Sequence, residues 1–245
     1  MSLSTCVRFY VDKNLLIMSK IKKIVILGTG GNSVDILDTL EDINAQASKN
    51  IYQCVGFLDD NERLWGKELY GAKVIGPLAA ASELLDCYFV NGIGSPENFW
   101  KKETIVAKTS VTLDRFETIV HPTASVSRMA KLGPGTVVFQ NVTVTSNVQV
   151  GKHVIILPNA VVSHDDIIGD YSCITGGVCI SGEVKIGKSC YLGTGSVVRG
   201  GIEIGDYCLI GMGSVVLRNI PDNSVVIGNP ARFLRPVRKT IEQVL

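Results

Sequence analysis

An aliphatic residue recurs at every sixth position of this chain, without a break, from Val120 to Val216. A second residue, mostly small, stands four positions after each aliphatic, and Asp166 departs from that pattern. A period of six is neither the 3.6 of a helix nor the 2 of an alternating strand. A fixed short period is typical of a solenoid, whose units pack only on their neighbours. The aliphatic positions are Val120, Val126, Leu132, Val138, Val144, Val150, Ile156, Val162, Ile168, Ile174, Ile180, Ile186, Leu192, Val198, Ile204, Ile210 and Val216.

The repeat predicts a triangular column of stacked coils. A short strand and a tight turn use about six residues, so three units of about 18 residues close one coil. The aliphatic fills the interior and the small residue fits the corner. Coils stacked in parallel at about 4.8 Å would give roughly five to six coils and a column about 25 Å tall.

A different unit precedes the column. The apolar run Lys23–Leu27 ends in Gly28-Thr29-Gly30-Gly31-Asn32-Ser33, and helical spacing follows at Val34, Ile36, Leu37 and Leu40. A strand, a glycine turn and a helix N-terminus together form a phosphate-receiving site, because bare backbone amides meet the positive helix end. The match to G-x-G-x-x-G is incomplete, since Ser33 stands where the third Gly belongs. Turn chemistry alone is the alternative interpretation of these glycines.

Two further strands complete a small sheet of Rossmann character. The strand 53–58 ends in Asp59-Asp60, and the strand Tyr88–Ile93 ends in Gly94-Ser95. Between them lie a hairpin-like segment, 67–75, and a helix predicted over 79–85; another helix is predicted over 100–108. Open sheets bind ligands at the carboxyl ends of their strands. About 95 residues are half the usual dinucleotide fold, so we expect a mononucleotide-sized cleft and no NAD.

The column carries a resemblance to a known group of proteins. Its [LIV]-G-x-x-[small]-x units resemble the hexapeptide-repeat acyltransferases, whose fold is a left-handed parallel β-helix. The resemblance alone implies the left hand, because the general preference for right-handed parallel crossovers argues the other way. The segment Pro221–Arg232 is similar to the P-x-x-S-x-x-x-G-x-P-A-[KR] ending of these proteins.

Both halves together resemble the NeuD/PglD-like nucleotide-sugar acetyltransferases over residues 22–236. The resemblance implies a cytoplasmic homotrimer that transfers acetyl from acetyl-CoA to a nucleotide-linked 4-amino-4,6-dideoxy sugar, directly and without metal or NAD. The expected division is an N-terminal extension (1–20), a Rossmann-like nucleotide-sugar-binding domain (21–117), the left-handed β-helix acetyltransferase domain (118–232) and a C-terminal tail (233–245). Within this tail we expect a short helix over 235–245. An O-acetyltransferase acting on a sugar or sialic acid, and a non-catalytic nucleotide-sugar-binding scaffold, remain alternatives.

The resemblance also implies the site residues. Two positions depart from the family pattern: Asn32 stands where the family often has His, and Cys173 where it usually has a second His that contacts acetyl-CoA. Cys is a weak donor, so contact with CoA at that position is in doubt. The expected substrate-binding residues are Gly30, Gly31, Asn32, Asp59, Asp60 and Gly94, and the expected cofactor-binding residues are Cys173, Gly182, Thr194 and Met212.

His164 and Asp165 are the expected catalytic pair, because Val162–Asp170 is similar to the family's H-[DE]-x-x-I-G-[DE] segment. An attacking amine becomes cationic, and a group that titrates near neutrality takes its proton best. A neighbouring carboxylate raises the basicity of the imidazole and fixes its tautomer. We expect His121 to have a cap or turn role and His153 to be exposed or interfacial.

Asp166 follows this pair at a small corner position. An inward carboxylate costs several kcal/mol unless it is paired or hydrogen-bonded. We hypothesise that it hydrogen-bonds turn amides or joins the network of His164; the alternative is that it turns outward.

The composition excludes several classes of protein. A net charge of +1 gives no sign of a nucleic-acid or anionic-membrane surface, and no apolar run is long enough for a transmembrane helix. Seven cysteines without C-x-x-C indicate free thiols in a reducing compartment. Some hexapeptide proteins are zinc hydratases with three histidine ligands, but the three histidines here fall at different places around an 18-residue coil, so no metal site is expected.

Overall fold

The computed structural model describes residues 21–238, so the expected extension 1–20 and the end of the tail lie outside the described residues. Its α-helices are α1 (Gly31–Ala47) and α2 (Lys102–Ala107), and short 3₁₀ turns cover Glu62–Leu64, Leu78–Glu83, Phe99–Lys101 and Leu113–Arg115. The strands are β1 (Lys22–Leu27), β2 (Tyr52–Leu58), β3 (Glu68–Leu69), β4 (Ala72–Gly76), β5 (Cys87–Asn91), β6 (Ile119–Val120), β7 (Ser125–Val126), β8 (Lys131–Leu132), β9 (Val137–Val138), β10 (Thr143–Val144), β11 (Gln149–Val150), β12 (Ile155–Ile156), β13 (Val161–Val162), β14 (Ile167–Ile168), β15 (Cys173–Ile174), β16 (Cys179–Ile180), β17 (Lys185–Ile186), β18 (Tyr191–Leu192), β19 (Val197–Val198), β20 (Glu203–Ile204), β21 (Leu209–Ile210), β22 (Val215–Val216), β23 (Ser224–Ile227) and β24 (Arg232–Pro236).

The N-terminal unit is a five-stranded sheet in the order β3-β4-β2-β1-β5. β1 pairs in parallel with β2 and β5, β2 pairs in parallel with β4, and β3–β4 is the expected hairpin. The run Ile24–Leu27 is completely buried, as the near-continuous apolar sequence of a central parallel strand predicts. The helix predicted over 79–85 is instead the 3₁₀ turn Leu78–Glu83, and the helix predicted over 100–108 begins as a 3₁₀ turn and continues as α2.

The column that follows is a left-handed parallel β-helix, as expected. Each two-residue strand pairs with the strand 18 positions later, for example Ile155 with Cys173. The strands form three flat faces: the first from β6 to β24, the second from β7 to β22 and the third from β8 to β20. The repeating aliphatics point inward into one continuous core. From Gly135 to Gly213 the fourth residue of each six turns the corner in the left-handed region, where Asn and Asp are favoured, as at Asn159 (φ 61°) and Asp165 (φ 62°).

The N-terminal unit packs on the first face. Ile24 and Val90 share a buried cluster with the outward residues Val137 and Ile155 of that face. Between the two units lies Lys102, which is completely buried and donates from Nζ to the carbonyl of His153 at 2.9 Å and to Cys173 Sγ at 3.4 Å. The corner between the second and third faces is therefore the part of each coil farthest from the N-terminal unit.

Two of the three histidines are structural. His153 is 2% exposed between Phe116 and Tyr171, so it is interfacial and not exposed, and burial lowers its pKa to about 3. His121 lies in a turn, where its Nδ1 is 2.9 Å from Thr123 Oγ1 and its Nε2 is 2.9 Å from Asp42 Oδ2 on α1.

The expectation of a helical tail is wrong where the structure describes it. Arg232–Pro236 forms β24, which pairs antiparallel with β23 and covers the end of the first face. Because a parallel stack ends in an unpaired strand edge, this pairing satisfies backbone groups that a helix would have left open.

Candidate functional site

A cavity of about 530 Å³ lies at the carboxyl ends of β1, β2 and β5. It opens between the N-terminal unit and the first face of the column, which contributes Tyr191. An open parallel sheet binds its ligands at this edge. The residues expected to bind the nucleotide sugar all line the cavity: Gly30, Gly31, Asn32, Asp59, Asp60 and Gly94.

The glycine turn presents its backbone to the cavity. No atom lies within 4 Å of the place where a Cβ would stand on Gly30 or Gly31, and Gly31 begins the 17-residue helix α1. A helix N-terminus with open space before it receives phosphate oxygens well. Asn32 donates from Nδ2 to the carbonyl of Gly94 at 3.2 Å, which ties this turn to the turn after β5. Ser33 replaces the third Gly of the motif because Gly92 leaves room for it: a Cβ on Gly92 would lie 2.2 Å from Ser33 Oγ.

Two carboxylates line the opposite part of the cavity. Asp59 accepts from Thr29 Oγ1 at 2.8 Å and from the amide of Asn61 at 2.9 Å. Asp60 accepts from Lys108 Nζ at 2.7 Å, and this contact lowers the pKa of its carboxyl. Lys108 is a functional candidate that sequence reasoning missed, because a lysine at the end of a short helix gives no local sign of a partner 48 residues earlier. It places a cationic group in a cavity suited to an anionic ligand.

His164 stands on the corner between the second and third faces, and its side chain is 57% exposed. Its Nδ1 is 2.9 Å from Asp165 Oδ2, and Asp165 Oδ1 accepts from Asn147 Nδ2 at 2.6 Å. The hydrogen bond to Asp165 raises the pKa of His164. A proton held on Nδ1 by the carboxylate leaves the lone pair of Nε2 free to accept another. This arrangement lets the imidazole accept a proton at Nε2.

Gly182 lies one coil above His164 and against its ring. A Cβ on Gly182 would be 2.6 Å from Nε2 and 2.5 Å from Cε1 of the imidazole. Real Cβ atoms do not approach this closely, so the ring occupies space that only a glycine leaves free. Gly182 therefore supports the imidazole from above.

Thr194 and Met212 lie together at another corner, between the first and second faces. They are one coil apart, Gly213 donates from its amide to the carbonyl of Thr194 at 2.9 Å, and Met212 is 79% exposed.

The second face connects this corner with that of His164. Its outward residues in these coils are apolar: Val161, Cys179, Val197 and Val215. The outward residues of the third face are mostly polar: Lys131, Gln149, Ile167, Lys185 and Glu203.

Cys173 lies apart from the other expected cofactor-binding residues. It faces outward on the first face, but the N-terminal unit covers it to 2% exposure and Lys102 donates to its sulfur. A Cβ on Gly94 would lie 2.7 Å from Cys173 Sγ, so the thiol sits directly behind a turn of the cavity. The structure thus gives Cys173 a place inside the contact between the units and no open surface for a cofactor.

Comparisons with known proteins find a matching family for each of the two units of the chain. The PglD N-terminal domain matches residues 23–105, and the bacterial transferase hexapeptide (six repeats) matches residues 183–218. This chain is therefore PglD-like in the sense of a resemblance: its N-terminal unit is similar to the PglD N-terminal domain, and its column carries bacterial transferase hexapeptide repeats. It is 32% identical over 123 residues to the UDP-N-acetylbacillosamine N-acetyltransferase of Bacillus subtilis (strain 168); the match covers 48% of this chain and 51% of that relative, about half its length.

Solved structures resemble the whole described fold of this PglD-like chain. PerB from Caulobacter crescentus, in complex with CoA and GDP-perosamine, has a TM-score of 0.75 and 25% identity, with 88% of this chain and 99% of that one covered. The acetyltransferase domain of PglB from Neisseria gonorrhoeae FA1090, in complex with acetyl coenzyme A, has a TM-score of 0.73 and 28% identity, with 88% and 100% covered.

Gly182 of the PglD-like chain offers a direct test of how the imidazole is held. Gly182→Ala is expected to displace the ring of His164 from Asp165, because the new methyl group overlaps Nε2 and Cε1. The pKa of His164 should then fall toward its ordinary value, since the hydrogen bond to Asp165 raises it. NMR titration of the histidine resonances measures this shift, and an unchanged His164 titration would contradict the geometry. The buried ring of His153 serves as a non-titrating reference.

Asp166 does not turn outward, so that alternative is wrong. Its side chain is completely buried, and Oδ1 accepts from the amide of Val184 at 2.8 Å, as the hypothesis of bonds to turn amides states. The other oxygen has no hydrogen-bond partner among residues 21–238. Burial raises the pKa of Asp166 to about 7. The fold therefore favours the protonated carboxyl near neutrality.

Asp166→Asn is expected to stabilise the chain at pH 8 and to change nothing at pH 4. The folded pKa of Asp166, about 7, lies above the ordinary 3.8, so wild-type stability falls as pH rises between these values. The amide has no charge to bury, and the difference in unfolding free energy at pH 8 should be about 4 kcal/mol, which corresponds to a pKa raised from 3.8 to about 7. Urea denaturation at both pH values measures it; an equal difference at pH 4 and pH 8 would contradict the ionisation of Asp166.

Residues 21–238 contain no cluster of three or more His, Cys, Asp or Glu side chains that could hold a metal ion. No helix within the same range is long and apolar enough to cross a membrane.

Proposed function

We propose that this chain transfers the acetyl group of acetyl-CoA to the amino group of a nucleotide-linked 4-amino-4,6-dideoxy sugar. The observation that carries the proposal is the exposed imidazole of His164, tied through Nδ1 to Asp165 and free at Nε2. The cavity at the glycine turn supports a phosphorylated substrate. The relative named UDP-N-acetylbacillosamine N-acetyltransferase, and the similar structures that hold CoA with GDP-perosamine or acetyl coenzyme A, support the reaction. In this proposal residues 21–117 bind the nucleotide sugar and residues 118–232 carry the transfer.

The proposed chemistry needs one base and one donor to the oxyanion. The sugar amine attacks the thioester carbonyl, and the tetrahedral intermediate carries an ammonium and an oxyanion. Nε2 of His164 takes the proton from that nitrogen, and Asp165 stabilises the resulting imidazolium. The backbone amide of Gly182 stabilises the oxyanion. Collapse of the intermediate releases the CoA thiolate, so no acyl-enzyme forms and no cysteine takes part.

We infer that acetyl-CoA lies along the second face of the column. Gly182 borders one side of this face, and Thr194 and Met212 border the other. The apolar side chains between these corners suit the pantetheine arm, while the third face is mostly polar and the first is covered by the N-terminal unit. Cys173 is left out of this assignment because it is buried behind Gly94.

We infer that the active form is a homotrimer whose sites lie between copies. The cavity opens on the first face, whereas His164 stands on the opposite corner of the same coils. A substrate in one copy's cavity therefore needs the imidazole of another copy. A cyclic arrangement of three columns, each presenting its His164 corner to the first face of the next, meets this need in every copy.

We place this reaction in the cytoplasm. The described cysteines, Cys54, Cys87, Cys173, Cys179, Cys190 and Cys208, are all free, which suits a reducing compartment.

An acetyl-transfer assay tests the proposal. Purified protein and acetyl-CoA are offered UDP-, dTDP- and GDP-linked 4-amino-4,6-dideoxy sugars, with free sialic acid as the hydroxyl acceptor, and mass spectrometry detects the adduct. Transfer to one of the amino sugars is the expected result, and the panel then identifies the nucleotide. Transfer to sialic acid alone would move the chain to the O-acetyltransferases. Binding of a nucleotide sugar without transfer to any acceptor would favour a scaffold.

A further inference from the structure

We propose that Asp166 is a positioning residue for His164: its buried carboxylate holds the turn Ser181–Val184 where Gly182 supports the imidazole. This proposal rests on the proposed role of His164 as the base. Asp166 is the one carboxylate at a small corner position of the column, and a positioning role explains why it stands there.

The turn at Val184 is built differently from several other corners of the column. In several corners the amide of the fifth residue of the unit donates to the carbonyl of the second, as from Val178 to Thr175 at 3.3 Å and from Ser196 to Gly193 at 3.1 Å. The amide of Val184 donates instead to Asp166 Oδ1 at 2.8 Å, one coil away. The turn that contains Gly182 is thus anchored to the coil of His164 and not only to itself.

This anchor acts close to the imidazole. The amide of Glu183 donates to the carbonyl of His164 at 2.9 Å, so two consecutive amides of the upper turn are bound to the corner that carries the base. Gly182 precedes both of these residues. An ideal Cβ on Gly182 would lie 2.5 Å from Cε1 and 2.6 Å from Nε2 of His164. A small movement of this turn changes the support of the ring. Without Asp166 Oδ1 as an acceptor, we expect the Val184 amide to hydrogen-bond within its own turn. This change would shift the backbone of Gly182.

The charged groups around Asp166 are those of the same corner. His164 and Asp165 act on its ionisation, and Glu183 acts on His164 from the coil above. Asn at position 166 keeps an acceptor for the Val184 amide and removes the charge, whereas Ala and Cys remove the acceptor as well. These variants therefore separate the geometric role of Asp166 from its charge.

The column offers a matched control at another corner. Ser172 Oγ accepts from the amide of Cys190 at 3.0 Å, which is the same coil-to-coil bond as that from Val184 to Asp166, with the same spacing of 18 residues. No catalytic candidate stands on that turn. Ser172→Ala therefore removes an equivalent structural bond without touching the support of His164.

Steady-state kinetics of Asp166→Ala, Asp166→Cys, Asp166→Asn and Ser172→Ala test the proposal at pH 8, after circular dichroism has shown that each variant is folded. We expect kcat to fall about tenfold in the Ala and Cys variants, with both KM values unchanged, because a misplaced base costs rate and not binding. Asn should restore kcat to within about threefold, and Ser172→Ala should match wild type. Wild-type kcat in both the Ala and Cys variants, or an equal loss in Asn or in Ser172→Ala, would overturn the proposal.

A second measurement tests the role of Asp166 independently of the proposed acetyl transfer. NMR titration of His164 needs no substrate: its midpoint should fall further in Asp166→Ala than in Asp166→Asn, because only Ala also loosens the ring from Asp165. Equal midpoints in the two variants would overturn the positioning role. If the wild-type chain transfers no acetyl group, the proposed function fails, and this comparison still decides what Asp166 does.

Discussion

His164→Ala is expected to lower kcat for acetyl transfer by about a thousandfold, within the range that general bases contribute. The imidazole is the group at the proposed site that accepts a proton near neutral pH, and its Nε2 is the free ring atom. The KM for the nucleotide sugar should stay within about twofold, since the substrate cavity lies on another face of the column. Because the side chain is 57% exposed, its loss should leave the melting temperature unchanged.

Asp165→Asn keeps the imidazole and is expected to lower the rate less than His164→Ala does. The hydrogen bond to Asp165 raises the pKa of His164, so its loss should move the acid limb of the rate profile to lower pH. The plateau should fall about tenfold, because the neutral amide stabilises the imidazolium less well. A pH–kcat/KM profile of both variants measures these effects. If His164→Ala retained more than about a tenth of wild-type kcat, another group would have to be the base.

The fold could be predicted from the sequence because the contacts of the column join only neighbouring coils and repeat with a fixed period. Each aliphatic at position i stacks on the one at i+18, so the period alone specifies the interior, the corners and the pairing of strands. The same rule would have found Asn147, which lies 18 residues before Asp165 and hydrogen-bonds to it. The tail was mispredicted because its pairing with β23 depends on the open edge of the last coil, and nothing in its own sequence records that edge.

The candidate site was only partly predictable, for a different reason. The substrate residues follow strands of one sheet, and parallel strands bring their ends together, so Asp59 and Gly94 meet the glycine turn. No comparable rule tells which face of the column the N-terminal unit covers. That choice depends on outward side chains such as Val137 and Ile155, which look like those of the uncovered second face. Cys173 was therefore expected at a cofactor, whereas it lies beneath Lys102.

Two inactive variants are expected to regain activity when they share an oligomer. One is His164→Ala, which lacks the base. The other is Gly31→Phe, whose ring would enter the open space before α1 and block the substrate cavity. If each site combines the cavity of one copy with the imidazole of the next, every mixed trimer has one site in roughly three with both intact parts. Activity of the purified mixed trimers should then rise from about zero to roughly a third of wild type.

Co-expression with two different affinity tags, followed by tandem purification and the acetyl-transfer assay, measures this recovery. Gly31→Ala is the matched control for the blocked cavity: its methyl group meets no atom within 4 Å, so it should keep wild-type activity. A chain that carries both inactivating changes supplies neither part, and its hybrids with His164→Ala should stay inactive. A site contained in one copy would give no recovery in any mixture, because no single chain would hold both an open cavity and a base. The corner of His164 lies opposite the first face within each coil, and this placement is the reason to expect recovery in the mixed oligomer.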